Sequence, residues 1–213
     1  MEKLNDLAVK YQTDKKLPDG KKAKNGVHGH GYTPHYEWYF SNRKIKNLLE
    51  IGISFGGSLL MWNKYLPDTQ LWGMDISEKR FKRKKLEKRG IKIHIGDQSN
   101  PDDLKVYQDK QFDVIIDDGG HRMKQQQVSL VELFPSVAPG GLYVIEDIHT
   151  SLKASFWDNH PETPTLQVLK AIKRRDPTYR SNYIKPKQLK KLIEDIQEVV
   201  FLENEKICFI FKK

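Results

Sequence analysis

The feature that most constrains this chain is a series of short β-rich runs, alternating with helical stretches, that keep closing on a carboxylate. Asn47–Ile53 (NLLEIGI), Gln70–Ile76 (QLWGMDI), Ile91–Ile95 (IKIHI), Phe112–Asp118 (FDVIIDD) and Gly141–Asp147 (GLYVIED) each read as a strand. Glu50 lies near the end of the first and Asp75 ends the second. Asp117-Asp118 and Glu146-Asp147 close the fourth and fifth, and Asp97 follows the third by two residues. Apolar strands separated by helices predict a parallel sheet covered on both faces. Two further runs, Ile196–Leu202 and Lys206–Phe211, are joined by Glu203-Asn204-Glu205, a link short enough for a hairpin. The expected class is therefore α/β: a seven-stranded, mostly parallel sheet with helices on both faces and a C-terminal antiparallel hairpin. Helices are expected over Ser58–Tyr65, Lys79–Arg89 (stopped by Gly90), Gln125–Val137 (before a Pro139-Gly140-Gly141 turn), Thr165–Arg174 and Lys187–Glu194.

At 213 residues the chain suits one large domain, expected over 41–213, preceded by a loop-rich segment over 1–40 that reads as a flap or lid. The N-terminus lacks the apolar core of a signal peptide, and no stretch has the length of a membrane span. The single cysteine, Cys208, sits in the apolar run Ile207–Phe211 and reads as a buried strand residue. A cytoplasmic location is the expectation. The net charge of +9 is concentrated in Lys15–Lys24, Lys79–Lys92 and Lys185–Lys191. Such charge attracts nucleic acid, an anionic membrane or an acidic glycan, and its plainer reading is a solvated lysine-rich face.

The strand-end acids lie where open α/β sheets bind ligands. The first strand runs into Glu50-Ile51-Gly52-Ile53-Ser54-Phe55-Gly56-Gly57-Ser58, whose glycines permit a tight turn and a close ligand approach. The spacing departs from G-x-G-x-x-G, so the turn by itself reads equally well as a plain strand-to-helix connection. Asp75, 25 residues after Glu50, could accept both hydroxyls of a ribose. Gly96-Asp97-Gln98 places an acceptor where an adenine amine could find it.

With E-I-G-x-x-x-G-G-S, Asp75 and G-D-Q in place, the chain resembles the class I S-adenosylmethionine-dependent methyltransferases, which have a Rossmann-like fold. The resemblance spans roughly Ile45 to Asp147. It implies S-adenosyl-L-methionine as cofactor, its methionine end at the glycine-rich turn, its ribose at the second strand and its adenine at the third. A narrower resemblance follows. Tyr11-Gln12-Thr13-Asp14-Lys15, His30-Gly31-Tyr32 and Tyr36 look like the T-D-K…H-x-Y-x-x-x-Y pattern of the macrolide and rhamnosyl sugar O-methyltransferases, mycinamicin-type. Ile116–His121 and Ile145–Thr150 look like their two later motifs, with Gly120 where Ser is common and an insert over Leu17–Val27. The cofactor residues implied are Thr13, Tyr32, Glu50, Gly52, Ser54, Gly56, Ser58, Asp75, Ile76, Asp97, Gln98 and Asp117. Asp118, Glu146 and Asp147 are implied as metal ligands, with Asp118 counted in the catalytic apparatus beside His121, the implied general base.

Physical chemistry supports the metal assignment independently. Neighbouring strands lie about 4.8 Å apart, so if the fourth and fifth are adjacent their terminal acids converge. Three carboxylates without sulfur suit a hard cation, Mg2+ first, with Mn2+ or Ca2+ as substitutes. The competing reading is an acid cluster neutralised by Lys or Arg. A metal on a sugar hydroxyl lowers its pKa, and His121 could take the proton; its plainer role is a turn residue. His149 reads as a substrate contact or a brace for Asp147. Tyr36 reads as substrate contact or packing, and Trp157 as sugar-stacking wall or core.

The expected function is metal-assisted O-methylation of a sugar hydroxyl, rhamnose-like, in a glycan or glycosylated metabolite. The expected partner is thus a carbohydrate or glycosylated small molecule; a homo-oligomer is compatible with the sequence. The alternatives are a nucleic-acid methyltransferase, for which the N/D-P-P-Y/F motif is missing, and a non-catalytic glycan- or partner-binding module on the same fold.

Overall fold

The computed structural model describes residues 2–158 and 162–213. The chain divides into two compact units, Met1–Ile95 and Gly96–Lys213. All seven expected strands are present.

The first unit contains α1 (Leu4–Lys10), α2 (Thr33–Phe40), β1 (Asn47–Ile51), α3 (Gly57–Tyr65), β2 (Gln70–Asp75), α4 (Arg83–Glu87) and β3 (Lys92–Ile95). β1 pairs in parallel with β2, and β2 with β3. Leu48, Leu49, Ile51, Leu71 and Met74 are buried, as expected of strands covered by helices. The loop-rich reading of the N-terminal segment overlooks two helices. α1 buries Leu4, Leu7 and Ala8 at i, i+3 and i+4 and packs on α2 and α3. α2 has a proline in its first turn and contributes Tyr36 and Phe40 to an aromatic cluster with Trp62. α4 is shorter than the expected 79–89 helix because Lys82 is extended. Its end nonetheless meets Gly90, whose φ of +79° completes the stop the sequence announces.

The second unit contains α5 (Pro101–Leu104), β4 (Phe112–Asp117), α6 (Met123–Leu133), β5 (Val137–Ile145), α7 (Thr165–Lys173), α8 (Pro186–Asp195), β6 (Ile196–Leu202) and β7 (Ile207–Lys212). β4 and β5 are parallel neighbours; β7 pairs antiparallel with both β5 and β6. The hairpin is closed by Glu203, Asn204 and Glu205, all at positive φ. Cys208 is fully buried in β7, opposite Ile145 and Phe201, and burial pushes its thiol pKa up. Pro139-Gly140-Gly141 is not a separate turn. β5 starts at Val137 and the register shifts between Phe112 and Val114, so the glycines form an irregularity inside the strand. The expected 125–137 helix likewise ends at Leu133, followed by a 3-10 turn at Phe134–Ser136. Among the described residues, no helix is long and apolar enough to cross a membrane.

Candidate functional site

In the first unit the glycine-rich turn is built around Asp75. One carboxylate oxygen accepts the backbone N–H groups of Ile53 (2.9 Å) and Ser54 (3.0 Å), while the other accepts that of Ser77 (3.2 Å). Ser54 is held at φ +49°, a conformation uncommon for a residue with a side chain. Gly52 and Gly56, at φ +94° and +79°, supply the turns on either side. Ile76, just past Asp75, leaves a large apolar side chain 66% exposed.

Glu50 is fully buried and engaged within the protein. It accepts hydrogen bonds from Ser58 Oγ (2.7 Å) and Trp62 Nε1 (3.3 Å), and Lys15 Nζ lies 3.5 Å away, also fully buried. Burial pushes the Glu50 carboxyl up, against the pull of Lys15, Ser58 and Trp62. The Lys15 carbonyl accepts the N–H groups of Tyr32 and Thr33, and the Lys15 N–H reaches Thr13 Oγ1 (3.4 Å). The segment from Thr13 to Lys15 is thereby tied to Tyr32. Lys15 is a residue that sequence reasoning passed over, although the T-D-K motif contains it. Tyr36 is 0% exposed, its ring against Phe40 and Trp62.

In the second unit Gln98 organises the 117–120 turn. Its Nε2 donates to Asp117 Oδ1 (2.9 Å) and its Oε1 accepts the Gly120 N–H (2.9 Å). Asp117 also accepts hydrogen bonds from Ser129 Oγ and Tyr143 Oη, and burial raises its pKa. Asp97 caps the following turn, accepting the Ser99 N–H at 2.8 Å. A Cβ on Gly119 would sit 1.8 Å from Gln98 Oε1, and one on Gly120 2.1 Å from Gln125 Oε1. A serine at position 120 would thus displace Gln125, which accepts the Arg122 N–H at the start of α6.

Because β4 and β5 are adjacent, with Asp117 opposite Ile145 and the Glu146 N–H donating to the Asp117 carbonyl (2.9 Å), the acids beyond them converge. Asp118, His121 and Asp147 present ligand atoms that all lie within 4.8 Å of one another. His121 Nε2 is 3.8 Å from Asp147 Oδ2, and His149 Nδ1 is 4.0 Å from Asp147 Oδ1. Glu146, next to Asp147 in sequence, is buried, and its carbonyl accepts Gln126 Nε2 (3.3 Å). The set within that distance is two carboxylates and an imidazole. It still suits a hard divalent cation. His121 (φ +60°) and Asp147 (φ +54°) both occupy the left-handed region, and such strain in non-glycine residues concentrates at functional sites. Among the described residues, His121 Nδ1 is buried with no hydrogen-bond partner. Thr150 is the further residue that the sequence did not single out: its hydroxyl lies 2.7 Å from the Asp147 carbonyl and 3.1 Å from that of His121, bridging the two strained loops. Trp157 donates from Nε1 to the Ser151 carbonyl (2.9 Å) and is partly buried.

A family profile described as a methyltransferase domain matches residues 49–148. The demethylmacrocin O-methyltransferase of Streptomyces fradiae is 36% identical over 183 residues, covering 80% of this chain and 42% of that protein. The mycinamicin VI 2''-O-methyltransferase of Micromonospora griseorubida is 37% identical over 139 residues, covering 60% of this chain and 34% of that protein. Among solved structures, the MycE methyltransferase of the mycinamycin biosynthetic pathway, in complex with Mg, SAH and mycinamycin VI, is similar over 99% of this chain and 54% of its own. The TM-score is 0.77 at 27% identity. The chain thus spans about half the length of that solved relative, and less of the curated ones.

Proposed function

We propose that this chain is a methyltransferase that transfers a methyl group from S-adenosyl-L-methionine to a sugar hydroxyl, rhamnose-like, with a divalent cation, Mg2+ first; the methyltransferase-domain profile over residues 49–148 supports the family. The observation that carries this reading is the convergence of Asp118, His121 and Asp147 beyond adjacent strand ends. Two lines of likeness support it: relatives named as O-methyltransferases of glycosylated antibiotics, and a solved relative in complex with Mg and SAH.

When bound, the cofactor supplies an electrophilic methyl and the cation supplies positive charge that makes an acceptor hydroxyl more acidic. Asp118, Glu146 and Asp147 would hold the cation. His121 would take the hydroxyl proton, and Asp147, 3.8 Å from its Nε2, would steady the imidazolium. Thr150 would keep both residues in register. Asp75 and the turn containing Gly52, Ser54, Gly56 and Ser58 would receive the ribose and methionine portions, with Thr13, Tyr32 and Glu50 fixing that turn. The exposed Ile76 would offer an apolar face to the base, and Asp97 and Gln98 polar groups to its edge, with Asp117 holding Gln98 in place. His149 and Trp157 would contact the acceptor.

The test is release of S-adenosylhomocysteine with a rhamnose-bearing acceptor. Turnover should vanish on chelation and return with Mg2+. Undiminished turnover in a chelator would sink the metal half of the proposal; absence of turnover on every sugar acceptor would sink the other.

A further inference from the structure

Gly119 and Gly120 do not owe their identity to backbone conformation, since neither is among the glycines held at positive φ. What excludes a side chain at 119 is Gln98. A Cβ there would sit 1.8 Å from Gln98 Oε1, 2.7 Å from its Cδ and 3.1 Å from its Nε2, so the amide lies directly against the Gly119 backbone. Gln98 is buried, and both polar atoms of its amide are engaged within the second unit. Nε2 donates to Asp117 Oδ1 (2.9 Å) and reaches Ser129 Oγ (3.4 Å), while Oε1 accepts the Gly120 N–H (2.9 Å). The far side of this contact is fixed as well. Asp117, at the end of β4, is buried and accepts further hydrogen bonds from Ser129 Oγ and Tyr143 Oη.

The amide therefore clasps the 117–120 turn at both ends. Asp118 lies inside that turn and His121 just past it, and their ligand atoms fall within 4.8 Å of each other and of Asp147. His121 sits at φ +60°, a conformation that persists in a residue with a side chain only where its surroundings hold it. Removing the amide takes a donor from the buried Asp117 carboxylate and an acceptor from the Gly120 N–H, so the turn loses its anchors together. We propose that Gln98 is a positioning residue for the cation site: its side chain fixes the turn that carries Asp118 and His121, a role separate from the contact with the cofactor's base given to it above. The inference rests on reading Asp118, His121 and Asp147 as the place of a divalent cation.

Calorimetry with Mg2+ alone, on the full chain without cofactor, tests this without any turnover. Gln98→Leu, similar in size and without hydrogen-bonding groups, should weaken Mg2+ binding about 10–100-fold, the range for contacts that orient metal ligands. Gly119→Ala should do the same by expelling the amide. In a Gln98→Ala background, where that space is open, Gly119→Ala should cost little further affinity; fully additive losses would overturn the proposal. So would parent-level Mg2+ affinity in Gln98→Leu. If only the melting point of that variant falls, the amide is a packing group; if only its S-adenosylhomocysteine affinity falls, the amide is a base contact and nothing more. A parent chain that binds no Mg2+ fails the cation reading and this inference with it, whereas a parent that binds Mg2+ no better than its variants fails the inference alone.

Discussion

Lys15 and Glu50 are charges that water does not reach. Removing one partner of such a pair strands the other in a medium that solvates it poorly, at a cost of about 3–5 kcal/mol. Denaturant unfolding of Lys15→Met should show a loss of that size, and adding Glu50→Gln should recover most of it. The pH dependence has a defined sign. Glu50 is raised in the folded state, so its proton is held more tightly there than in the unfolded chain, and stability falls as pH rises through the folded pKa. Lys15→Met removes the main opposing pull, so its deficit should grow as pH climbs out of the ordinary carboxylate range; a deficit flat with pH would contradict the buried-charge account. At the other site, His121→Ala should lower kcat by about 10²–10⁴-fold, the scale of a lost proton acceptor. Cofactor and Mg2+ affinities should hold. Weakened Mg2+ binding would instead place the imidazole among the ligands, where its position beside Asp118 and Asp147 makes it eligible.

Among the elements, the loops after β4 and β5 bring Asp118, His121 and Asp147 together, and Thr150 joins them. Thr150→Val keeps the shape and deletes the hydroxyl that meets both the His121 and Asp147 carbonyls. Mg2+ affinity should drop about 10–100-fold, as for other supporting contacts around metals. Calorimetry would show this, and an unchanged affinity would leave the bridge without a function. The strands were legible in sequence because they are short apolar runs, several of them ended or closely followed by a carboxylate, and the turn at Asp75 because glycine spacing and an acid coincide. The helix α1 was hidden: seven residues offer only Leu4, Leu7 and Ala8 as a buried face, too few to stand out before their partners are known. Pro139-Gly140-Gly141 carried correct turn chemistry but was absorbed into β5, since strand pairing outweighs local preference. The Lys15–Glu50 contact joins residues far apart in sequence, and no periodicity reports that. Nor could spacing tell that Asp147 would lie 3.8 Å from His121.

For the molecule as a whole, a ligand that binds only the folded state stabilises it by mass action, about 2.7 kcal/mol at a hundred times its Kd. Saturating Mg2+ should therefore raise the melting temperature, and Asp118→Asn/Asp147→Asn should abolish the rise while leaving the metal-free melting point near its parent value. A rise that survives the double substitution would place the ion elsewhere. A last consequence belongs to Cys208. With its lone thiol shut in the middle strand of β5, β7 and β6, the protein carries its own clock for opening: an alkylating reagent can label it only as often as those strands part. The labelling rate, read by mass spectrometry without any added probe, should slow when a ligand tightens the fold.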